Sequence, residues 1–125
     1  MSSNPPARVL PYQAVHYISA DMDFATTTAV TIGTVPAGAT ILRAISGLQV
    51  NVAFNAGSTN VVDIGTTAND DLFATDLAAG TIAFVPFDEA VTQAISADTT
   101  FTATYVPGGT AASAGSGKAV ICYIP

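Results

Sequence analysis

The stretch LQVNVAFN, residues 48–55, decides the fold class of this chain. Its large apolar side chains fall at every second position: Leu48, Val50, Val52 and Phe54. The positions between them carry Gln, Asn or Ala, so one side of the stretch is dry and the other is wet. Such alternation is typical of a strand that lies with one face on a hydrophobic core. The stretch therefore predicts a strand of a layered β-protein with these four side chains in its core.

Other short segments rich in Val, Ile and Thr flank this stretch and are separated by turn residues such as Gly, Pro and Asn. The predicted strands are residues 15–20, 26–35, 40–54, 60–65, 81–87, 91–95, 100–106 and 118–124. Residues 91–95 fit a helical turn equally well. No segment keeps the 3.6-residue period of a helix over several turns. We therefore predict a single-domain, all-β protein, a jelly-roll-like β-sandwich of about eight short strands.

The boundaries of this domain follow from composition. Residues 1–14 contain Pro5 and Pro6 and predict an extended N-terminal arm, and residues 15–125 form the β-sandwich domain. Two long loops are expected, at 66–80 and 107–117. The alternation changes phase near Ser46, which predicts a bulge or bend there. Because residues 118–124 are apolar on both parities, we expect that last strand to be central in its sheet.

The aromatic side chains divide into expected core and expected surface. Four phenylalanines fall on the apolar parity of their segments and are predicted to be buried: Phe24, Phe54, Phe84 and Phe101. Tyr12 and Tyr17 are not bound to such a pattern and suit the rim of an interface, where Tyr is enriched. Cys122 stands in an apolar strand and is predicted to be a buried, inert thiol.

Charge is scarce in this chain. Only 10% of its 125 residues are charged, against about 25% in an average soluble domain, and the net charge is −6. Three basic residues are too few to neutralise a row of phosphates or an anionic membrane surface, so we expect neither nucleic acid nor a membrane as partner. Mean hydropathy is +0.48, yet no apolar run reaches the roughly 18 residues of a membrane span. The expected outer faces are mostly Thr, Ala, Ser, Asn and Gln, which cost little to desolvate in an assembly.

Candidate catalytic groups are few. His16 is the sole histidine and Cys122 the sole cysteine, and a zinc site needs three or four nitrogen or sulfur ligands. Neither stands in a nucleophile motif, so we predict no catalytic residues, no metal site and no cofactor, and hence no enzyme. The run Gly115–Lys118 resembles the end of a phosphate-binding loop, but it lacks the first glycine, the Ser/Thr after Lys and the following helix.

Two pairs of aspartates raise the question of a calcium site. The pairs are Asp21 with Asp23 and Asp70 with Asp71. Calcium takes six to eight oxygen ligands, and no segment has the alternating Asp spacing that supplies them. We therefore expect these carboxylates to be solvated surface groups.

Two stretches carry a resemblance to a known class of protein. They are VTIGTVPAGATILRAISGLQVNVAFNAGSTNVVDIGTT at residues 30–67 and SGKAVICYIP at residues 116–125. Their order of strand, Pro-Ala-Gly-Ala turn, long strand and closing strand resembles small virion proteins of tailed bacteriophages, namely head decoration (cement) proteins. The resemblance implies oligomers on a capsid lattice, with extended segments that touch the coat protein. It brings no catalytic residues.

This resemblance sets the functional expectation. We predict a structural virion protein that binds the outer surface of a phage head and stabilises contacts between coat subunits. The expected partners are the major coat protein and further copies of the chain, as a homodimer or homotrimer. Because no signal-peptide pattern opens the sequence, we expect synthesis in the host cytoplasm. Candidate contacts with the coat or between copies are Arg8, Val9, Leu10, Tyr12 and Tyr17, with the loop 107–117 as a further candidate. The alternative is a fibre- or tail-associated module that binds a host surface glycan.

Overall fold

The alternating segments form nine strands in the computed structural model, which describes residues 14–89 and 95–125. The strands are β1 (His16–Asp23), β2 (Val30–Val35), β3 (Thr40–Ile41), β4 (Gly47–Val52), β5 (Thr59–Thr66), β6 (Ala74–Ala78), β7 (Phe84–Pro86), β8 (Thr99–Gly108) and β9 (Ser116–Ile124). One short 3-10 helix, Arg43–Ile45, lies between β3 and β4. β-Branched residues dominate many of the strands, as expected for pleated backbone.

The strands form two antiparallel sheets. Sheet A has the order β1-β9-β4-β7, with β3 also paired to β9, and sheet B has the order β2-β8-β5-β6. This confirms the predicted all-β sandwich, while the jelly-roll connectivity stays a prediction. β9 pairs with β1 on one side and with β3 and β4 on the other, so the predicted central position of the last strand is also confirmed. Residues 91–94 of the predicted segment 91–95 lie outside the described residues.

The inner faces of the two sheets supply the core. The largest side chains that are essentially inaccessible are Tyr105, Phe54, Phe101, Ile41, Leu48, Ile64, Ile121, Val35, Val50 and Val62. A row of aromatic rings runs through this core: the centroids of Phe101 and Phe73 lie 4.7 Å apart, and those of Phe73 and Phe87 lie 6.1 Å apart. This row connects the centre of sheet B with the end of β7 in sheet A.

The long strand predicted for residues 40–54 is interrupted at the expected phase change. Strand pairing with β9 stops after Ile41 and resumes at Gly47. The chain forms the short 3-10 helix between these two residues. Ser46 fills the gap, fully buried: its hydroxyl donates to the Leu42 carbonyl at 2.8 Å and accepts from the Cys122 N–H at 2.9 Å. A side chain thus replaces a missing ladder hydrogen bond, which a buried backbone N–H requires.

Two side chains predicted to be in the core are exposed instead. Val52 is 47% exposed because a register shift between Val50 and Val52 reverses which side of β4 faces the core. Phe84 is 40% exposed because it pairs in register with Gln49, which points away from the core. Of the other phenylalanines, Phe54 and Phe101 are buried as predicted, and Phe24 is half-buried and packs against the core.

The predicted loop at 66–80 contains a strand that the sequence pattern did not reveal. β6 pairs with β5, with a register shift between Val62 and Ile64. Apolar residues hold this segment to the core: Phe73 and Leu77 are buried, and Leu72 packs against the core. Three alanines within and beside this strand gave too weak an alternation to be recognised.

The loop that joins β8 to β9 is anchored rather than free. The side-chain oxygen of Asn55 accepts from the N–H groups of Ser113 and Ala114 at 2.8 and 2.9 Å, and its amide donates to the Ser113 hydroxyl at 3.0 Å. Gly115 follows with φ of +147°, and a Cβ there would lie 2.6 Å from the ring of Phe54. Only glycine satisfies both conditions, so this position fixes where β9 begins.

Candidate interaction surface

The side of sheet A that faces away from sheet B carries most of the exposed large apolar side chains among the described residues. Alternation along β9 places Ala119, Ile121 and Tyr123 inward, where all three are buried. The intervening side chains therefore point outward together with their register partners on the neighbouring strands. We call this surface the A face and define it by its main side chains: Tyr17 of β1, Phe84 of β7, and Lys118, Val120, Cys122 and Ile124 of β9.

The A face exposes large apolar side chains on strands from one edge of sheet A to the other. Tyr17 is 67% exposed, Ile124 is 47% exposed and Phe84 is 40% exposed. Val15 directly precedes β1, Ile82 lies two residues before β7, and both are more than half exposed. Several exposed large apolar side chains on one sheet face are typical of an interaction site.

One ion pair stands on the A face. The Lys118 amino group lies 3.7 Å from a carboxylate oxygen of Asp21, and both side chains are well exposed. Such a solvated pair adds at most about 1 kcal/mol to stability. It does leave this part of the surface close to neutral, although the chain as a whole carries −6.

Cys122 occupies the middle of the A face rather than the core. It is half-buried and free, and it stands opposite Tyr17 in the β1–β9 ladder. The prediction of a buried thiol was therefore wrong, because Cys122 shares the outward parity of β9. Burial of its surroundings still raises the pKa of the Cys122 thiol, which keeps it protonated and weakly nucleophilic at neutral pH.

The outer side of sheet B is different, because the chain itself covers part of it. At Gly65 an added Cβ would lie 2.2 Å from the Asn69 carbonyl oxygen, so the 66–72 segment folds directly over β5. Thr102, which pairs with Gly65 in register, is only 5% exposed although it stands on the outer parity of β8. The remaining outer side of β8 carries mainly threonines, so it is more polar than the A face.

Negative charge collects near β5 and β6, away from the A face. The Asp76 N–H donates to the Asp63 carboxylate at 2.7 Å, with Asp76 in the left-handed region at φ of 57°. Burial raises the pKa of Asp63 above its ordinary 3.8, and the charges of Asp76, Asp70 and Asp71 act in the same direction. A carboxyl whose folded pKa is raised stabilises the fold fully below pH 3.8 and loses that contribution as pH rises through the raised value. The sequence singled out Asp70 and Asp71 but missed Asp63, whose environment depends on register.

The residues singled out for metal or acid–base chemistry have structural surroundings. Within 14–89 and 95–125, no group of three or more His, Cys, Asp or Glu side chains is placed to hold a metal ion. Asp21 contacts Lys118, and the Asp23 carboxylate accepts from the N–H groups of Ala25 and Thr26, which shapes the turn after β1. The His16 ring lies 5.7 Å from the ring of Tyr123.

Of the predicted contact residues, only Tyr17 belongs to the described part of the chain. Arg8, Val9, Leu10 and Tyr12 lie outside the described residues. Tyr17 lies on the A face and is its most exposed member. The remaining members were not recognised as a site, although the shared parity of Val120, Cys122 and Ile124 was the signal that pointed to one surface. The described part of the chain contains no helix long and apolar enough to cross a membrane.

The arrangement of two four-to-five-stranded sheets invites comparison with known folds. The sandwich is similar to a chain in the solved cyanophage Pam1 capsid asymmetric unit. The match has a TM-score of 0.62 and 19% sequence identity, and it covers 90% of this chain and 84% of that one. At this identity the likeness establishes a shared fold. No protein-family model matches the sequence, and no curated protein sequence matches it significantly.

Proposed function

We propose that this chain is a non-enzymatic structural protein of a bacteriophage virion, a cement or decoration protein on the outer surface of the head. The observation that carries the proposal is the fold likeness to a chain of a cyanophage capsid structure over 90% of the length. The open apolar A face and the low content of charged residues support it, since both suit a protein that is largely covered in an assembly. The partners proposed are the major coat protein and further copies of this chain.

The proposed mechanism is the addition of buried surface across boundaries between coat subunits. A specific contact needs above about 1,000 Å² of total buried area. A dimer or trimer that touches several coat subunits at once multiplies weak single contacts into tight binding. The uncharged Thr, Ser and Asn side chains on the exterior of the chain lower the desolvation cost of each contact compared with charged side chains.

Virions of the phage that encodes this chain test the proposal. We expect the chain to sediment with the particles, and peptide mass spectrometry to find it in a fixed ratio to the coat protein. Removal of the chain by mild denaturant and its re-addition should lower and then restore the temperature at which heads release DNA. A chain that is absent from purified particles would contradict the proposal. Its presence on tails only would favour the fibre-associated alternative.

We further propose that residues 1–12 contribute to coat binding, because they combine the apolar Val9 and Leu10 with Arg8 and Tyr12. Deleting residues 1–12 is expected to lower occupancy on stripped particles at least tenfold, the effect of losing about 1.4 kcal/mol of binding free energy. Occupancy is measured by gel densitometry against the coat protein. The matched control is Ser2→Ala with Ser3→Ala, which keeps the length and the apolar residues. Unchanged occupancy after the deletion would place coat binding elsewhere on the chain.

The glycan-binding alternative asks for an aromatic platform that stacks on a sugar ring. Tyr17 and Phe84 are the large aromatic side chains most exposed in the described residues. They stand on β1 and β7, the two edges of sheet A. Three strand spacings separate these edges, roughly 14 Å. Two rings at that distance do not form one platform, so the geometry favours the virion-surface proposal.

A further inference from the structure

We propose that the A face is a self-association surface, on which a second copy of this chain packs its own A face about a two-fold axis. The inference deepens the proposed function and rests on it for its role on the particle, but its test uses the isolated chain. The A face is chosen over the outer side of sheet B because it has more exposed large apolar side chains. Tyr17, Phe84 and Ile124 project from the A face, whereas Val106 is the comparable exposed side chain on the strands of sheet B.

The size of the A face suits a second sandwich. Strands lie about 4.8 Å apart and rise about 3.3 Å per residue, so the residues of β1, β9, β4 and β7 together give roughly 400 Å² of sheet. Val15, Ile45 and Ile82 at its margins are each at least half exposed and extend this apolar area. The sum approaches roughly 600 Å², the lower end of what each partner buries in a specific complex of ordinary size. Two sheets that meet face to face also reproduce the packing within each sandwich.

The distribution of charge is compatible with a second copy of this chain on the A face. The net charge of −6 makes two copies repel, so a self-contact must avoid the carboxylates. The carboxyl groups of Asp63, Asp70, Asp71 and Asp76 are grouped near β5 and β6 on sheet B. On the A face, Asp21 is matched by Lys118, and Asp23 at the end of β1 accepts hydrogen bonds from the Ala25 and Thr26 N–H groups. In a two-fold arrangement each Lys118 can also face the partner's acidic group, so this pair is self-complementary.

Geometry also excludes the other broad surface as the main self-contact. The 66–72 segment lies over β5, with the Asn69 carbonyl close above Gly65. Thr102 beneath it is already buried within one chain. The outer side of sheet B is therefore partly covered in the monomer, while the A face has no such cover among the described residues.

Matched charge insertions test the proposal. Tyr17→Glu adds a carboxylate to the A face, and Val106→Glu makes the same change on the outer side of sheet B. Analytical ultracentrifugation of the wild-type chain should show a dimer. Tyr17→Glu should raise the dimer dissociation constant about thirtyfold or more, because it removes an aromatic contact and places an unpaired carboxylate in the interface. Val106→Glu should leave it unchanged. Phe84→Glu, on the opposite edge, provides a second A-face variant in case Tyr17→Glu does not fold by circular dichroism.

Cys122 provides an internal reporter for the same surface. It is the sole cysteine and stands in the middle of the A face, so no engineered label is needed. We expect its alkylation by a maleimide to slow as the concentration of wild-type chain rises through the dissociation constant. In Tyr17→Glu the rate should stay at the fast, dilute value over the same range. In Val106→Glu it should follow the wild type.

Several outcomes would overturn the self-contact. The self-contact is rejected if the wild-type chain is still monomeric at about 100 µM, because a specific dimer should have a dissociation constant well below that concentration. A dimer whose Cys122 reacts as fast as in the monomer also rejects it, because that result indicates pairing through strand edges. Equal loss of dimer in Tyr17→Glu and Val106→Glu rejects the assignment to the A face. A monomer that still binds particles leaves the proposed function intact and assigns the A face to the coat protein.

Discussion

Replacing Phe101 by alanine is expected to lower the free energy of unfolding by about 3–5 kcal/mol. Phe101 is fully buried near the start of β8, which is paired on both sides in sheet B. Its ring contacts Phe73 at a centroid distance of 4.7 Å. Truncation removes apolar burial and leaves a cavity that surrounding strands, fixed by ladder hydrogen bonds, fill only in part. Since small domains have about 5–15 kcal/mol of total stability, the loss is a large share of it.

Thermal unfolding followed by circular dichroism measures this effect, and a fall in Tm on the order of 10–20 °C is expected for a domain of this size. Phe84→Ala is the matched control, because it removes the same atoms from a side chain that is 40% exposed. It should cost less than about 1 kcal/mol. Hydrogen exchange at the Phe87 N–H should also accelerate in Phe101→Ala, since Phe87 ends the same aromatic row. Equal destabilisation by the two truncations would show that the row does not hold the core.

The alternation of residues 48–55 predicted the fold class, because a strand that is buried on one face has apolar residues at every second position. Phe54 and Phe101 were placed correctly on this basis, and both are buried. The apolar character of both parities of β9 likewise indicated its central position. These features depend on local spacing and on burial, which a single sequence records directly.

Register and edge position were not predictable in the same way. Val52 left the core because of a shift in the β4–β9 ladder, and no residue in the sequence marks that shift. Phe84 belongs to a three-residue strand at a sheet edge, where parity alone does not say which side is covered. β6 escaped notice because its alanines are too small to produce a clear pattern. Each of these features is decided by a partner strand that is distant along the chain.

The candidate surface was predicted only in part, for the same reason. Tyr17 was identified because it stood outside any core pattern. The rest of the A face arises when Cys122 comes to lie opposite Tyr17, and Phe84 opposite Gln49, through long-range pairing. The structure therefore shows where on the molecule charged residues are scarce. The outer side of sheet A is mainly apolar, with Asp21 and Asp23 on its β1 edge, while four carboxylates are grouped beside sheet B.

Removing the hydroxyl of Ser46 is the second large effect that we expect, about 2 kcal/mol of unfolding free energy for Ser46→Ala. The hydroxyl is fully buried and accepts from the Cys122 N–H at 2.9 Å while it donates to the Leu42 carbonyl at 2.8 Å. Alanine offers no acceptor, so the Cys122 N–H is left unpaired where β3 has ended and β4 has not yet begun. An unpaired buried donor costs more than the bond itself contributed.

The amide of Cys122 reports this change directly, because its hydrogen exchange should accelerate in Ser46→Ala beyond what the loss of global stability explains. Thr34→Ala is the matched control: its hydroxyl lies 2.9 Å from that of Thr100 in an exposed pair. Deleting that hydroxyl should change stability by less than about 0.5 kcal/mol. If Ser46→Ala and Thr34→Ala lower the free energy of unfolding equally, the Ser46 hydroxyl does not replace a ladder hydrogen bond at the Cys122 N–H. If Ser46→Ala selectively exposes the Cys122 amide, the Ser46 side chain preserves the pairing of β9 at the residue that stands opposite Tyr17 on the A face.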